Sequence, residues 1–180
     1  MKMDKVANSG NDEFYTPRYA IRPIVKHLKR RFDVGSRVWC PFDTGESRFV
    51  ELLREAGFVV HHSHIDEGGD FFDLIDSVEA DVIVSNPPYS MKAEVFEALF
   101  RRGVPFAMLV GVVGLFESER RFSMFAGSVF EIMMLNRRVS YLRSYEDEKP
   151  ALNPPFSSVY ITHHVLDEAI VFERIDKKDV

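Results

Sequence analysis

Short apolar runs that alternate with segments of helical periodicity constrain this chain more than any other feature. Residues 36–42 (SRVWCPF), 58–64 (FVVHHSH), 80–85 (ADVIVS), 105–113 (PFAMLVGVV) and 129–135 (VFEIMML) read as buried strands. Between them lie helical segments. One starts with Thr16 as N-cap and Pro17 as the first helical residue, and runs to about residue 32. Residues 47–56 place Phe49, Leu52 and Leu53 on one face and stop at Gly57, and residues 92–102 and 117–125 repeat the helical period. Residues 140–156 form a polar, proline-bearing loop, and residues 157–165 and 169–175 close the chain as two strands. Strands separated by helices predict an α/β fold of three layers, Rossmann-like, with a mostly parallel sheet covered on both sides. The two consecutive strands at the end predict an antiparallel edge there. In open sheets of this kind ligands lie beyond the carboxyl ends of the strands, near the point where strand order reverses. Site residues are therefore expected just after each strand.

Composition narrows the classes. At 180 residues with 46% hydrophobic content, a single domain spanning 1–180 is expected, and it has ample material for one core. The lone cysteine, Cys40, rules out an internal disulfide and a cysteine-based zinc site. The opening MKMDKVANSGNDEF has no apolar run, which argues against a signal peptide, and no stretch approaches a membrane span. A soluble, cytoplasmic protein is expected. The net charge of -5 weighs against tight nucleic-acid binding by bulk electrostatics. Charge is uneven, though. Residues 26–37 and the pairs Arg101-Arg102, Arg120-Arg121 and Arg137-Arg138 are basic, whereas acids gather at 146–148 and toward the C-terminus. Either a basic face or ordinary solvated helix surfaces would give this distribution.

The third strand runs straight into Asn86-Pro87-Pro88-Tyr89. At average residue usage this tetrapeptide arises at roughly a few positions per million, so its position where a site belongs carries weight. The plain alternative is a rigid Pro-Pro turn with a surface tyrosine. The chemical reading gives each residue a task. An exocyclic amino nitrogen conjugated to a ring is a poor nucleophile, because its lone pair is delocalised. Two acceptors placed around the NH2 draw it toward a tetrahedral geometry and free the lone pair. The side-chain oxygen of Asn86 supplies one, and the carbonyl of Pro87 supplies the other, held rigid because proline fixes φ near -65°. Tyr89 offers a flat face for an extruded base, and such stacking is worth roughly 1–3 kcal/mol per base. No dedicated base is required, because the proton leaves readily once nitrogen is alkylated.

This motif after a strand resembles the catalytic motif of S-adenosylmethionine-dependent amino-methyltransferases, chiefly DNA adenine-N6 enzymes of the small phage and prophage type. The resemblance implies a Rossmann-like methyltransferase fold, S-adenosylmethionine as cofactor, and DNA as partner, with RNA or a protein glutamine as other substrates presenting the same planar NH2. It implies catalytic roles for Asn86, Pro87, Pro88 and Tyr89, and no separate target-recognition domain. Residues 11–17 (NDEFYTP) resemble the family's Tyr-Thr-Pro segment, which implies cofactor contacts for Tyr15, Thr16 and Pro17. Gly69-Asp70-Phe71-Phe72 resembles its Gly-Asp-Phe segment. That implies Asp70 accepting from the cofactor's adenine, with Phe71 or Phe72 over its face; core packing is the alternative for the two phenylalanines. Residues 136–142 (NRRVSYL) resemble a segment lining the target pocket, which implies substrate contacts for Arg137, Arg138 and Tyr141. The arginines are either phosphate contacts or a solvated pair.

The chain departs from the family at the first loop, where Asp-Pro-Phe-x-Gly-x-Gly is usual. Here Cys40 replaces the first Asp, Thr44 and Glu46 stand where glycines are expected, and Gly45 survives. Asp43 and Gly45 are expected to serve the cofactor through a shifted loop; the alternative is weak binding, or a non-catalytic module derived from such an enzyme. Asp66, after the second strand, is the candidate for the cofactor's ribose hydroxyls, with His64 and Glu67 close enough to shift the register. His61, His62 and His64 look like metal ligands, but alternation puts His61 on the opposite strand face and no cysteine or carboxylate completes a set. No metal is expected. Cys40 reads as a small buried residue.

Overall fold

The computed structural model describes residues 14–147, 149–150 and 152–179. Residues 11–13 of the segment ending at Pro17, the rest of the opening stretch without an apolar run, and Glu148 of the acidic run lie outside the described residues. Seven strands form one sheet: β1 (Arg37–Cys40), β2 (Val59–His62), β3 (Val82–Ser85), β4 (Phe106–Gly111), β5 (Glu131–Leu135), β6 (Ser158–His163) and β7 (Ile170–Glu173). Their order is β2-β1-β3-β4-β6-β5-β7. All neighbours pair in parallel except β6, which runs antiparallel to both β4 and β5. Among the described residues, helices α1 (Arg18–Arg31), α2 (Arg48–Glu55), α3 (Phe71–Leu74), α4 (Lys92–Arg102) and α5 (Glu119–Ala126) complete the fold.

Strand alternation sorts the core into two halves. Val38, Cys40, Val82, Val84, Ala107, Leu109 and Tyr160 face α1 and α2. Trp39, Ile83, Phe106, Met108, Val110, Val159 and Ile161 face α3, α4 and α5. The result is the three-layer α/β arrangement expected from the alternation of elements. Local chemistry sets the helix ends. The Ser47 hydroxyl caps α2 by accepting from the Phe49 amide at 3.1 Å, and α4 stops at Gly103, whose φ of +70° is open to glycine.

Three expectations need correction. The antiparallel strand is not at the edge. β6 is inserted between β4 and β5, and β7 closes the sheet parallel to β5. The reason is burial: β6 is buried along almost its whole length, whereas β7 alternates exposed and half-buried positions, as suits an edge. β6 ends where His164 adopts φ 55°, held by the buried Glu131 carboxylate, which accepts from the His164 amide at 2.9 Å. Second, Thr16 does not cap α1. Pro17 is the N-cap, and the Tyr19 amide is taken by the Asp179 carbonyl at 2.8 Å, leaving the Thr16 hydroxyl for another partner. Third, the strands are shorter than the apolar runs, because residues after their carboxyl ends peel into loops: 41–42 after β1, 63–64 after β2 and 112–113 after β4. Among the described residues no helix is long and apolar enough to cross a membrane.

Candidate active site

The chain leaves β1 toward β2 on one side and returns to β3 on the other. The strand order therefore reverses between β1 and β3, and their carboxyl ends diverge into a crevice. A cavity of about 370 Å³ lies there. Its walls come from the loop after β1 (Pro41, Phe42, Asp43, Thr44), the segment after β2 (His64, Ile65, Asp66, Gly69, Asp70, Phe71, Phe72) and the segment after β3 (Asn86, Pro87, Pro88, Met91). Phe14, Tyr15 and Thr16, before α1, and Tyr145, from the 140–156 loop, complete it.

Asp43 sits at the reversal point and is only 5% exposed. Its carboxylate accepts from the hydroxyls of Ser47 and Ser85. Burial pushes its carboxyl up to about 6 from 3.8, against the opposing pull of those two hydroxyls and of the His64 and His62 rings. Ser47 also accepts from the Tyr145 hydroxyl at 3.1 Å. Tyr145 is thus tied to the same carboxylate through one serine, and its ring meets Tyr15 edge to face at 4.7 Å. No local signal marks a residue inside the polar loop as the one that closes the cavity. Tyr145→Phe is expected to lower stability by about 1 kcal/mol, the worth of one hydrogen bond. Urea unfolding measures it, and an unchanged midpoint would mean the strap is held by its ring alone.

After β2 the chain makes a 3-10 turn, Ile65–Glu67, capped by His64, whose Nδ1 accepts from the Asp66 amide at 3.3 Å. This leaves the Asp66 carboxylate exposed at the cavity wall. His64, one of the three histidines weighed as metal ligands, is a cap. Among the described residues no group of three or more His, Cys, Asp or Glu is placed to hold a metal ion. Gly69 is required by close approach: a Cβ there would lie 2.8 Å from the Ser63 Cβ and 3.3 Å from the His64 amide nitrogen. Asp70 caps α3, accepting from the Phe72 amide at 2.8 Å. The two phenylalanines divide the readings open in the sequence. Phe71 is 4% exposed and stacks on Trp39 at 5.7 Å, so it is core as well as wall, whereas Phe72 is 38% exposed.

Asn86 is half-buried at the end of β3. Its Nδ2 donates to the Phe14 carbonyl at 3.0 Å and to Thr16 Oγ1 at 3.3 Å. The Phe14 carbonyl, which can only accept, fixes which end of the amide is nitrogen. Among the described residues its Oδ1 is buried without a partner. Such an orphaned acceptor costs about 1–3 kcal/mol, so it calls for a reason, as do Arg48 Nε, His62 Nδ1 and Arg102 Nη1, which are buried without a hydrogen-bond partner among the described residues as well.

Tyr89 is not part of the cavity wall. Its hydroxyl donates to Tyr141 at 3.2 Å, and Phe14 and Phe156 meet its ring at 4.9 and 5.3 Å. Phe156 can pack there because residue 111 is glycine; a Cβ would lie 2.7 Å from the Phe156 ring. Tyr141 is fully buried and bonds onward to Ser158 at 2.8 Å. It stands behind Tyr89 and, like Tyr89, lies outside the cavity wall. Arg137 and Arg138 are exposed and outside the wall. They follow β5, and with β4 and β6 between β3 and β5 they lie three strand spacings, roughly 14 Å, from the crevice. Pro17, buried at the start of α1, and Gly45, exposed, also lie outside the wall. Tyr15, Thr16, Asp43, Asp66, Asp70, Phe71, Asn86, Pro87 and Pro88 line one cavity. Phe14, Thr44, Ile65, Met91 and Tyr145 join them without a sequence signal of their own.

No sequence family matches the chain, and no curated protein does. Several solved structures are similar. A precorrin-6y C5,15-methyltransferase from Geobacter metallireducens is 14% identical at a TM-score of 0.47, covering 84% of this chain and 92% of that one. A release-factor-specific protein-(glutamine-N5) methyltransferase from Alicyclobacillus acidocaldarius is 21% identical at 0.47, covering 82% and 93%. TrmN from Thermus thermophilus is 17% identical at 0.39, covering 81% of this chain and 51% of that one. Likeness at this level assigns none of their activities to this chain.

Proposed function

We propose that the chain is an S-adenosylmethionine-dependent N-methyltransferase acting on a planar amino group, with adenine N6 in DNA as the leading target. The observation that carries the reading is the Asn86 amide, whose nitrogen is spent on Phe14 and Thr16 while its oxygen stays buried and unpartnered beside the crevice. A target NH2 donating to Oδ1 would relieve that orphaned acceptor. It would also draw the nitrogen toward the geometry in which its lone pair attacks.

The wall chemistry fits the donor. A volume of about 370 Å³ falls within the roughly 300–1,000 Å³ of small-molecule sites. Among the described residues the carboxylates on the wall are Asp43, Asp66 and Asp70, which favour a cationic ligand and oppose a phosphate. In this reading Asp43 holds the methionine ammonium, Asp66 accepts from the ribose hydroxyls, and Asp70 and Phe72 border the adenine. Bound there, the donor supplies an electrophilic methyl on a sulfonium. The protein's own share is to orient the target nitrogen through Asn86 and the rigid Pro87-Pro88 turn. The nitrogen's surplus proton leaves after alkylation.

The experiment is labelled transfer from S-adenosylmethionine to DNA, RNA and protein, followed by nucleoside mass spectrometry. N6-methyladenine in the DNA is expected. Label in RNA or on glutamine alone would move the target while keeping the chemistry, a result the net charge of -5 makes worth measuring. No label in any pool, with no donor binding by calorimetry, would sink the reading and leave a binding module.

A further inference from the structure

Resting on the amino-methyltransfer reading, we propose that Thr16 is a positioning residue that sets the plane of the Asn86 amide. The two ends of a carboxamide are nearly isosteric, so only its hydrogen bonds decide which end faces a substrate. The Asn86 nitrogen has two hydrogens and two acceptors, the Phe14 carbonyl at 3.0 Å and Thr16 Oγ1 at 3.3 Å. In the flipped amide, Oδ1 would face two oxygens. Phe14 alone opposes that flip. Thr16 fixes the second N–H, and two fixed hydrogens define a plane where one leaves a pivot.

Thr16 is itself held still. It is 1% exposed, it precedes the N-cap Pro17, and the neighbouring Tyr15 carbonyl accepts from the Leu142 amide at 2.9 Å. Its hydroxyl is not spent capping α1, because the Asp179 carbonyl takes the Tyr19 amide there. The segment before α1 therefore does more than wall the cavity. It aims the acceptor at the tip of a strand 70 residues away.

The test compares Thr16→Val, which keeps the shape and deletes the hydroxyl, with Thr16→Ser, which restores the oxygen. Steady-state kinetics are read beside the side-chain amide signals of Asn86, observed by NMR with 15N-asparagine labelling. Thr16→Val is expected to lower kcat roughly two- to tenfold, the worth of one neutral hydrogen bond. It leaves the KM for S-adenosylmethionine unchanged and shifts the Asn86 NH2 signals; Thr16→Ser reverses both effects. An unmoved amide signal overturns the proposal whatever happens to the rate. So does a raised KM at constant kcat, which would mark Thr16 as a donor contact instead. Should the wild type transfer no methyl at all, the reaction reading fails separately. The amide signals then decide Thr16 alone: a shift reversed by serine supports the proposal, and none overturns it.

Discussion

Asn86→Ala is expected to lower methyl transfer by about 10²–10³-fold while S-adenosylmethionine binds as tightly as before. The magnitude is that of deleting one preorganised hydrogen-bonding group aimed at a reacting centre. The split follows from the architecture. Asn86 lines the crevice and touches the segment before α1 through Nδ2, whereas the acidic groups assigned to the donor stand on the loops after β1 and β2. Removing the orphaned acceptor removes its cost, the loss of the two donated bonds offsets that gain, and the variant is expected to keep about the wild-type stability. Single-turnover transfer with calorimetry of donor binding measures both halves. Full transfer by the alanine variant would end the proposed role of the amide.

The second large effect is electrostatic and centres on Asp43. Its carboxyl titrates near 6 in the folded protein against 3.8 ordinarily. Below pH 3.8 the group is neutral whether the chain is folded or not, and its contribution to stability is fully present. As pH rises, the unfolded chain releases the proton first, and stability falls until the folded carboxyl has ionised above about 6. The gap between the folded and unfolded carboxyl corresponds to about 3 kcal/mol lost across that window. Asp43→Asn should flatten this component, so its stability relative to the wild type should rise with pH. Donor binding runs the other way. A cation beside Asp43 favours the ionised form, so wild-type affinity for S-adenosylmethionine is expected to climb as pH rises through about 6. The asparagine variant should lose that climb and roughly tenfold or more in affinity at pH 7.5, the scale of one desolvated charge contact. Unfolding and calorimetry across pH 4–8 measure the two trends, and equal pH profiles for the two proteins would contradict the account.

Both predictions depend on residues that are legible in one sequence, but for different reasons. Asn86-Pro87-Pro88 stands out because rigid residues at a strand end leave few other tasks. Asp43 is legible as an acid that a shifted first loop offers to the cofactor. Its burial, its two serine partners and its raised pKa are not, since Ser85 lies 42 residues away. Arg137 and Arg138 show the opposite failure. They follow a strand's carboxyl end, as a site residue should, yet β6 is inserted between β4 and β5 and carries that end away from the crevice. Tyr141, a motif residue at the right place in the chain, is buried behind Tyr89 and lies outside the cavity wall.

What the sequence determined by itself is therefore what short-range periodicity and rigidity encode: seven strands, the major helices, the two-sided core and a stiff turn after β3. Hydrophobic alternation and proline act over a few residues, so they are visible in one dimension. Tertiary structure alone decided the insertion of β6, the closure of the cavity by Tyr145, and the use of Phe14 and Thr16 to aim the Asn86 amide. Those depend on which distant segments exclude water from one another and which buried donors find acceptors, and neither is written in local spacing.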